Sequence, residues 1–464
     1  MESYLLCNIR ENQKTITLKA EKLVMYLQSK WVEAFDENGH VYYLLFYKND
    51  YITWTKPVWQ NRHSHLEQSF KKGMTFPAPH PFLVNLLATK EVFPKVAVSH
   101  LPEKLQKSYT PHETSLILTF LDSFESKGTI FKPIQSIYYK YRRNGQMFAG
   151  YRIIRILQDF LPEHSWVKDI ASSFEFEKYN SMYHLVSEEL MEKDPLFSEK
   201  SLYKSTEEED SYRLLELMKK EHRILDHTAL SLEAYRKFKS LSSYTLMKSL
   251  LEDAFSVAEQ IYIIEELKGI SGKNNHILQD LLHLYLKENE VEKLCNLLAQ
   301  DAITLTVEQR NSFEKMLLTM DFEENRVQVE KLNSYLLPIL DTNSLKASEL
   351  LQNCVSRLLS EYDISYVLEW LEPLKRNEEA GKLYYTFEKM SHLVDDPDQQ
   401  FLLGELYYEF QRFDAAIDCF SWQMELDKTD PKPVQWLSKI YLETGKEDES
   451  KAYQQLYQEM SKEA

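Results

Sequence analysis

From Phe82 to the C-terminus the apolar residues of this chain return at steps of three and four, the period of helices with one buried face, whereas residues 1 to about 60 keep a shorter rhythm. In that opening stretch "YLLCNI" and "TITL" flank the polar "RENQK", "WVEAF" and "HVYYLLFY" flank "DENG", and "DYITW" follows "KN". Aromatic and β-branched runs punctuated in this way predict a small antiparallel sheet, with "KAEKLVMYLQSK" as a helix inserted into it. The stretch "MTFPAPHPF" then places three prolines in nine residues, which stiffens and extends the chain and marks a boundary. Helices are expected over 110–126, opened by Thr110 as cap and Pro111 in the first turn, then over 133–143, 147–160, 166–176 and 181–193. After "STEEED", whose Ser205 or Thr206 can cap a helix that begins with carboxylates, the rhythm continues. The division expected is an α+β module at 1–78, a helical segment at 79–204 and a helical array at 205–464.

A period of 34 residues underlies the helical part. Residues 397–430 carry Leu403, Gly404, Tyr407, Phe413, Ala416 and Phe420, and the same positions one period on are Leu437, Ser438, Tyr441, Glu447, Ser450 and Gln454. Residues 131–164 supply Ile134, Ile137, Tyr141, Gly145, Met147, Gly150, Ile154, Leu157 and Pro162; residues 164–197 supply Val167, Ile170, Ala171, Phe174, Tyr183, Leu190 and Pro195; residues 275–308 supply Leu278, Leu281, Leu282, Tyr285, Asn289, Val291, Leu294 and Leu298. This pattern resembles the tetratricopeptide repeat family, whose unit is two antiparallel helices. Gly404 and Ala171 stand where two helix backbones approach closely, the tyrosines fill space beside the first helix of a unit, and Gly145, Asn289 and Gly445 suit a turn of positive φ. Pro162 and Pro195 are expected to stop second helices. The resemblance implies a mainly α fold, a TPR-like α-α superhelix (solenoid) with a small α+β N-terminal module, since one hairpin cannot bury its apolar face alone. Gln400 and Gln423 depart from the family pattern, which usually has a large apolar residue and an alanine there.

Composition narrows the function classes. With 10 Gly in 464 residues there is little material for phosphate-cradling loops, and no GxGxxG or GxxxxGK[ST] occurs; "GISGKNN" reads as an interhelix turn. No GxSxG, HExxH or CxxC is present, and His63, His65 and His80 have no ligand set at a spacing that metals use, so neither a catalytic residue nor a metal or other cofactor is expected. Four scattered cysteines predict free thiols. The N-terminus carries no signal-peptide pattern and no apolar run approaches the ~20 residues a bilayer requires, so a cytoplasmic address without membrane contact follows by elimination. The net charge of −17 is uneven: residues 1–180 hold 23 Lys+Arg against 18 Asp+Glu, and the excess of acid lies beyond them.

In tetratricopeptide solenoids the first helix of each unit lines a concave groove. The resemblance therefore implies a peptide-binding groove at Lys132, Gln135, Tyr139, Arg142 and Arg143, continued by Lys168 and Ser172, where arginines suit an acidic peptide or a C-terminal carboxylate. The same mapping exposes an acidic aromatic face at Phe401, Glu405, Tyr408 and Glu409, suited to a basic partner. The function expected is a non-enzymatic scaffold for protein or peptide partners, with homodimerisation through exposed solenoid ends as a further expectation. Two alternatives are a nucleic-acid-binding regulator using the basic front end, disfavoured by the acidic total, and an enzyme with its site in the N-terminal module.

Overall fold

The computed structural model describes residues 5–57, 63–271, 274–301, 303, 305–318, 333, 336, 340 and 345–463. The chain is mainly α with an N-terminal strand module, and it divides into two compact units, Met1–Gly272 and Lys273–Ala464. The boundaries expected at 78 and 204 both fall inside the first.

Strands β1 (Leu6–Glu11), β2 (Lys14–Tyr26), β3 (Ser29–Phe35), β4 (Val41–Tyr47) and β5 (Asp50–Thr55) pair antiparallel in succession. Their turns place Asn12, Leu27, Gly39 and Lys48 at positive φ, and the Asp36 carboxylate accepts the Asn38 and His40 amides at 2.9 Å each to close "DENG". Strand β6 (Met74–Pro77) pairs with β2, and β7 (Phe93–Pro94) joins β1 in parallel. The sheet curls so that β7 also meets β5: the Tyr51 hydroxyl donates to the Pro94 carbonyl at 2.8 Å, and Thr53 exchanges hydrogen bonds with the Val96 backbone.

The helix expected within "KAEKLVMYLQSK" does not form, because β2 runs unbroken through its first half and β3 begins at Ser29. Leu18 and Ala20 are buried in alternation, a bulge follows between Ala20 and Lys22, and Leu23–Tyr26 are buried on both faces. A segment rich in good helix formers is held extended because strands flank both its edges and core covers both its faces.

Helices α1 (His65–Lys72) and α2 (Pro81–Leu87) flank β6; α3 (Leu101–Ser108), α4 (Pro111–Thr119), α5 (Lys127–Arg143) and α6 (Met147–Phe160) follow. Val24, Trp31, Leu45 and Tyr47 of the sheet share one core with Ile117, Ile134, Ile154 and Leu157 of these helices. The remaining helices of the first unit are α7 (Ser165–Ala171), α8 (Phe174–Asn180), α9 (Glu188–Lys193), α10 (Pro195–Lys204), α11 (Glu208–Lys220), α12 (Ile224–Phe238), α13 (Leu241–Ala254) and α14 (Val257–Ser271). A buried ion cluster fastens strands to helices. Lys30 of β3, wholly shielded, lies 2.7 Å from Asp226 and also donates to the Lys48 carbonyl. Arg223 bridges Asp226 at 3.2 Å and Glu199 at 2.7 Å.

In the second unit stand α15 (Asn275–Glu288), α16 (Val291–Gln300), α17 (Val307–Leu318), α18 (Leu345–Glu361), α19 (Ile364–Leu371), α20 (Glu378–Leu393), α21 (Gln400–Glu409), α22 (Phe413–Leu426), α23 (Lys432–Glu443) and α24 (Glu447–Glu463). The copies at 131–164, 275–308, 397–430 and 431–464 coincide with the hairpins α5/α6, α15/α16, α21/α22 and α23/α24. The copy at 164–197 does not: it breaks into α7, α8, a 3-10 turn at Ser181–Tyr183 and α9. There the serine pair 172–173 interrupts the helix expected at 166–176, and Pro195, capped by Asp194, opens α10 directly after α9 ends at Lys193. Likewise α4 stops at Thr119, short of 126. Gly269 lies within α14, and the turn expected after it falls at residues outside those described.

Candidate functional site

Five hairpins among the described residues share one turn. One or two residues past the first helix, one residue takes a left-handed conformation: Gly145 (φ 69°), His222 (55°), Asn289 (60°), Gln411 (60°) and Gly445 (77°). The next amide then reaches back five residues, to the carbonyls of Tyr141, Met218, Tyr285, Tyr407 and Tyr441, over 2.8–3.0 Å. This satisfies carbonyls that a helix end would leave bare and sends the second helix back along the first. Hairpin α11/α12 belongs to the set, although its turn residue is a histidine and no repeat pattern marks it.

The hairpin interior explains the small residues. A Cβ on Gly404 would stand 2.9 Å from Cε1 of Phe420 and 3.2 Å from Cβ of Cys419. One period on, Ser438 and Ser450 replace Gly404 and Ala416 and hydrogen-bond each other's carbonyls reciprocally, at 3.1 and 2.8 Å. Ala171, in contrast, is a half-buried residue at the end of the short α7.

The outer face of α5 brings Lys132, Gln135, Tyr139 and Arg143 together, with Ser136, around a shallow depression of about 450 Å³. Among the described residues neither Lys132 nor Arg143 makes an ion pair; Arg143 Nε donates to the Tyr139 carbonyl at 3.3 Å. The Tyr139 hydroxyl accepts from the Trp166 indole at 3.0 Å, which fixes the ring. The other expected members turn elsewhere. Arg142 faces Glu175 at 3.7 Å, Lys168 pairs with Glu163 at 2.6 Å, and the Ser172 hydroxyl donates to the carbonyl of Lys168 at 2.9 Å.

On α21, Phe401 packs edge-on against Phe420, and Tyr408 donates to Glu443 at 2.6 Å while its ring meets Trp436 and the ammonium of Lys439. Phe401 thus packs within its own hairpin, and Tyr408 joins that hairpin to the next. Glu405 and Glu409 accompany them on the helix without an ion pair among the described residues.

A second concavity was not foreseen from the sequence. A half-enclosed cavity of about 390 Å³ lies between the β2–β3 turn, α1, α4, α6 and α10, lined by Lys127, Arg152, Arg155, Lys200 and Lys204 together with His65, His112, Asp122, Asp159 and Asp194. The Arg155 guanidinium stacks over Tyr183 and Phe197, its carbon 4.2 and 4.6 Å from the ring centres, and donates to the Tyr151 hydroxyl at 3.1 Å. Arg152 donates to the Lys193 carbonyl at 2.9 Å. Asp159 pairs with Lys200.

Burial holds His65 and His112 in the neutral form. His65 stacks on Phe120 at 4.1 Å with its Nε2 2.8 Å from the Ser29 hydroxyl, and burial, aided by Lys200, pushes its pKa down to about 3. His112 also falls to about 3, through burial and Arg152, although Asp194 is 4.0 Å away. Asp194 shifts up through burial, so burial works against the charged form of both partners in this contact. Asp122 rises to about 6 for the same reason and accepts the His65 amide at 2.9 Å. The sequence did hold a signal: Arg152 and Arg155, and Lys200 and Lys204, each share a helix face. What brings the two faces together is tertiary packing.

No protein-family model matches the chain, and no curated protein matches it. A solved structure similar to it is that of Naa15/Naa10 bound to HypK-THB, at 10% identity and a TM-score of 0.21, covering 77% of this chain. The likeness covers 65% of that chain, less than two thirds of its length.

Proposed function

We propose that this chain is a non-enzymatic scaffold of the cytoplasm whose tetratricopeptide-like hairpins hold a protein or peptide partner. The observation that carries this reading is the face of α5, where Lys132 and Arg143 flank an ordered tyrosine with their charges uncompensated. An acidic segment, or a chain end with a free carboxylate, supplies the missing charge, and a guanidinium offers it two parallel hydrogen bonds. The carboxylates of half-buried Glu405 and exposed Glu409 suit a basic partner, as a second contact on the other unit. Four buried, unpaired thiols accord with a reducing compartment.

The test is fluorescence anisotropy of an acidic peptide with a free C-terminus. Binding should weaken with salt and fall about tenfold or more in Lys132→Glu/Arg143→Glu, since losing two charge-assisted contacts removes at least ~1.5 kcal/mol. Equal binding by wild type and variant rejects the α5 site.

A further inference from the structure

The cavity between α6 and α10 has a charge imbalance that the docking of a partner on α5 does not resolve. Of its five cations, Lys200 is matched by Asp159; among the described residues Lys127, Arg152, Arg155 and Lys204 make no ion pair. The other two carboxylates are already engaged: Asp122 accepts the His65 amide, and Asp194 accepts the Phe197 amide at 3.1 Å and the Tyr183 hydroxyl at 2.8 Å. The cavity continues into a more open one, also of about 390 Å³, that shares Arg155, Asp159, Phe197, Lys200 and Lys204. Arg155 is preorganised, its plane fixed by aromatic stacking and not by a carboxylate.

We propose that this cavity binds a small phosphorylated ligand, its phosphate held by Arg155 and Lys204, with Lys200 shared between it and Asp159, and its apolar body lying against Phe120 and Phe160. A carboxylate brings one negative charge, whereas a phosphomonoester brings nearly two near neutral pH and three acceptor oxygens, a closer match to several uncompensated cations. The enclosed volume falls within the range of small-molecule sites, about 300–1,000 Å³.

Isothermal titration of the full chain with phenyl phosphate, benzoate and hexaglutamate at fixed ionic strength tests this. Phenyl phosphate should bind saturably and about tenfold or more tightly than benzoate. Lys204→Glu, at an exposed position, should weaken it by about tenfold or more without moving the melting temperature of the unliganded protein, and Arg155→Lys should weaken it while keeping the charge. Lys132→Glu, on the other face, should leave it unchanged. Equal affinity for benzoate, no saturable binding of phenyl phosphate, or affinity indifferent to Lys204→Glu overturns the proposal. So does saturation by hexaglutamate in place of phenyl phosphate, which makes the cavity a peptide site.

Discussion

The alpha carbon of Gly404 faces the ring of Phe420 so closely that the first carbon of any side chain would come within 2.9 Å of it. The ring has no room to retreat, because Phe420 is wholly buried and lies parallel to Trp436 with centroids 5.6 Å apart. Gly404→Ala should therefore destabilise the second unit by ~1–3 kcal/mol in urea denaturation, despite the better helix propensity of alanine. An unchanged or raised midpoint contradicts the close approach.

The shared turn predicts substitutions of opposite sign. Gln411 and Gly445 hold equivalent positions one 34-residue period apart, both left-handed, and only the glycine is free of the Cβ penalty. Gln411→Gly should stabilise by ~1 kcal/mol and Gly445→Ala should destabilise by a similar amount. Chemical melts of the two variants compare the effects directly.

How much of this was legible depended on whether local chemistry and tertiary packing agreed. Gly145, Asn289 and Gly445 announced their turns, and Gly404 announced a tight hairpin, because those residue types serve the backbone itself, whereas Ala171, expected to do the same, ends the short α7. His222 and Gln411 make the same turn without the usual residue, so α11/α12 left no trace. Along β2, Lys, Ala, Glu, Leu and Met favour a helix, and the contrary signal, the alternation of Leu18 with Ala20, is cut short by a bulge. The four α5 residues could be grouped from the sequence because one helix presents them. Arg155 and Lys204 meet through packing between helices far apart in sequence, which no period records.

The ion cluster under β3 predicts a large asymmetry between breaking and retaining it. Burial lowers the Lys30 pKa to about 8 despite Asp226, while Arg223 and Lys30 hold Asp226 below its usual range against the same burial. Asp226→Asn removes the shared anion and strands the buried Lys30, while Arg223 keeps Glu199, so it should cost ~3–5 kcal/mol. Lys30→Met leaves Asp226 with Arg223 and should cost less. A smaller loss for Asp226→Asn than for Lys30→Met in matched melts contradicts this assignment.

Acid should expose the buried histidines. With His65 near 3 when folded and about 6.5 when unfolded, the unfolded chain binds the extra proton below pH 6.5, so this contribution is complete above that pH and fades as pH falls toward 3. Asp122 and Asp194, both shifted upward, act in the opposite sense, so the effect is best read as a difference. His65→Gln should cost stability at pH 7.5, and the gap to wild type should narrow between pH 6.5 and 4 by up to ~1.4 kcal/mol per pH unit. A gap independent of pH means that His65 is charged or exposed.

The most direct test of partner docking on the hairpins is quantitative co-purification from the native cell with wild-type chain and with Lys132→Glu/Arg143→Glu, both verified as folded. The account predicts a protein recovered stoichiometrically with the wild type and depleted about tenfold or more with the variant. Recovery of the same proteins in equal amounts with both chains, or of none with either, contradicts it.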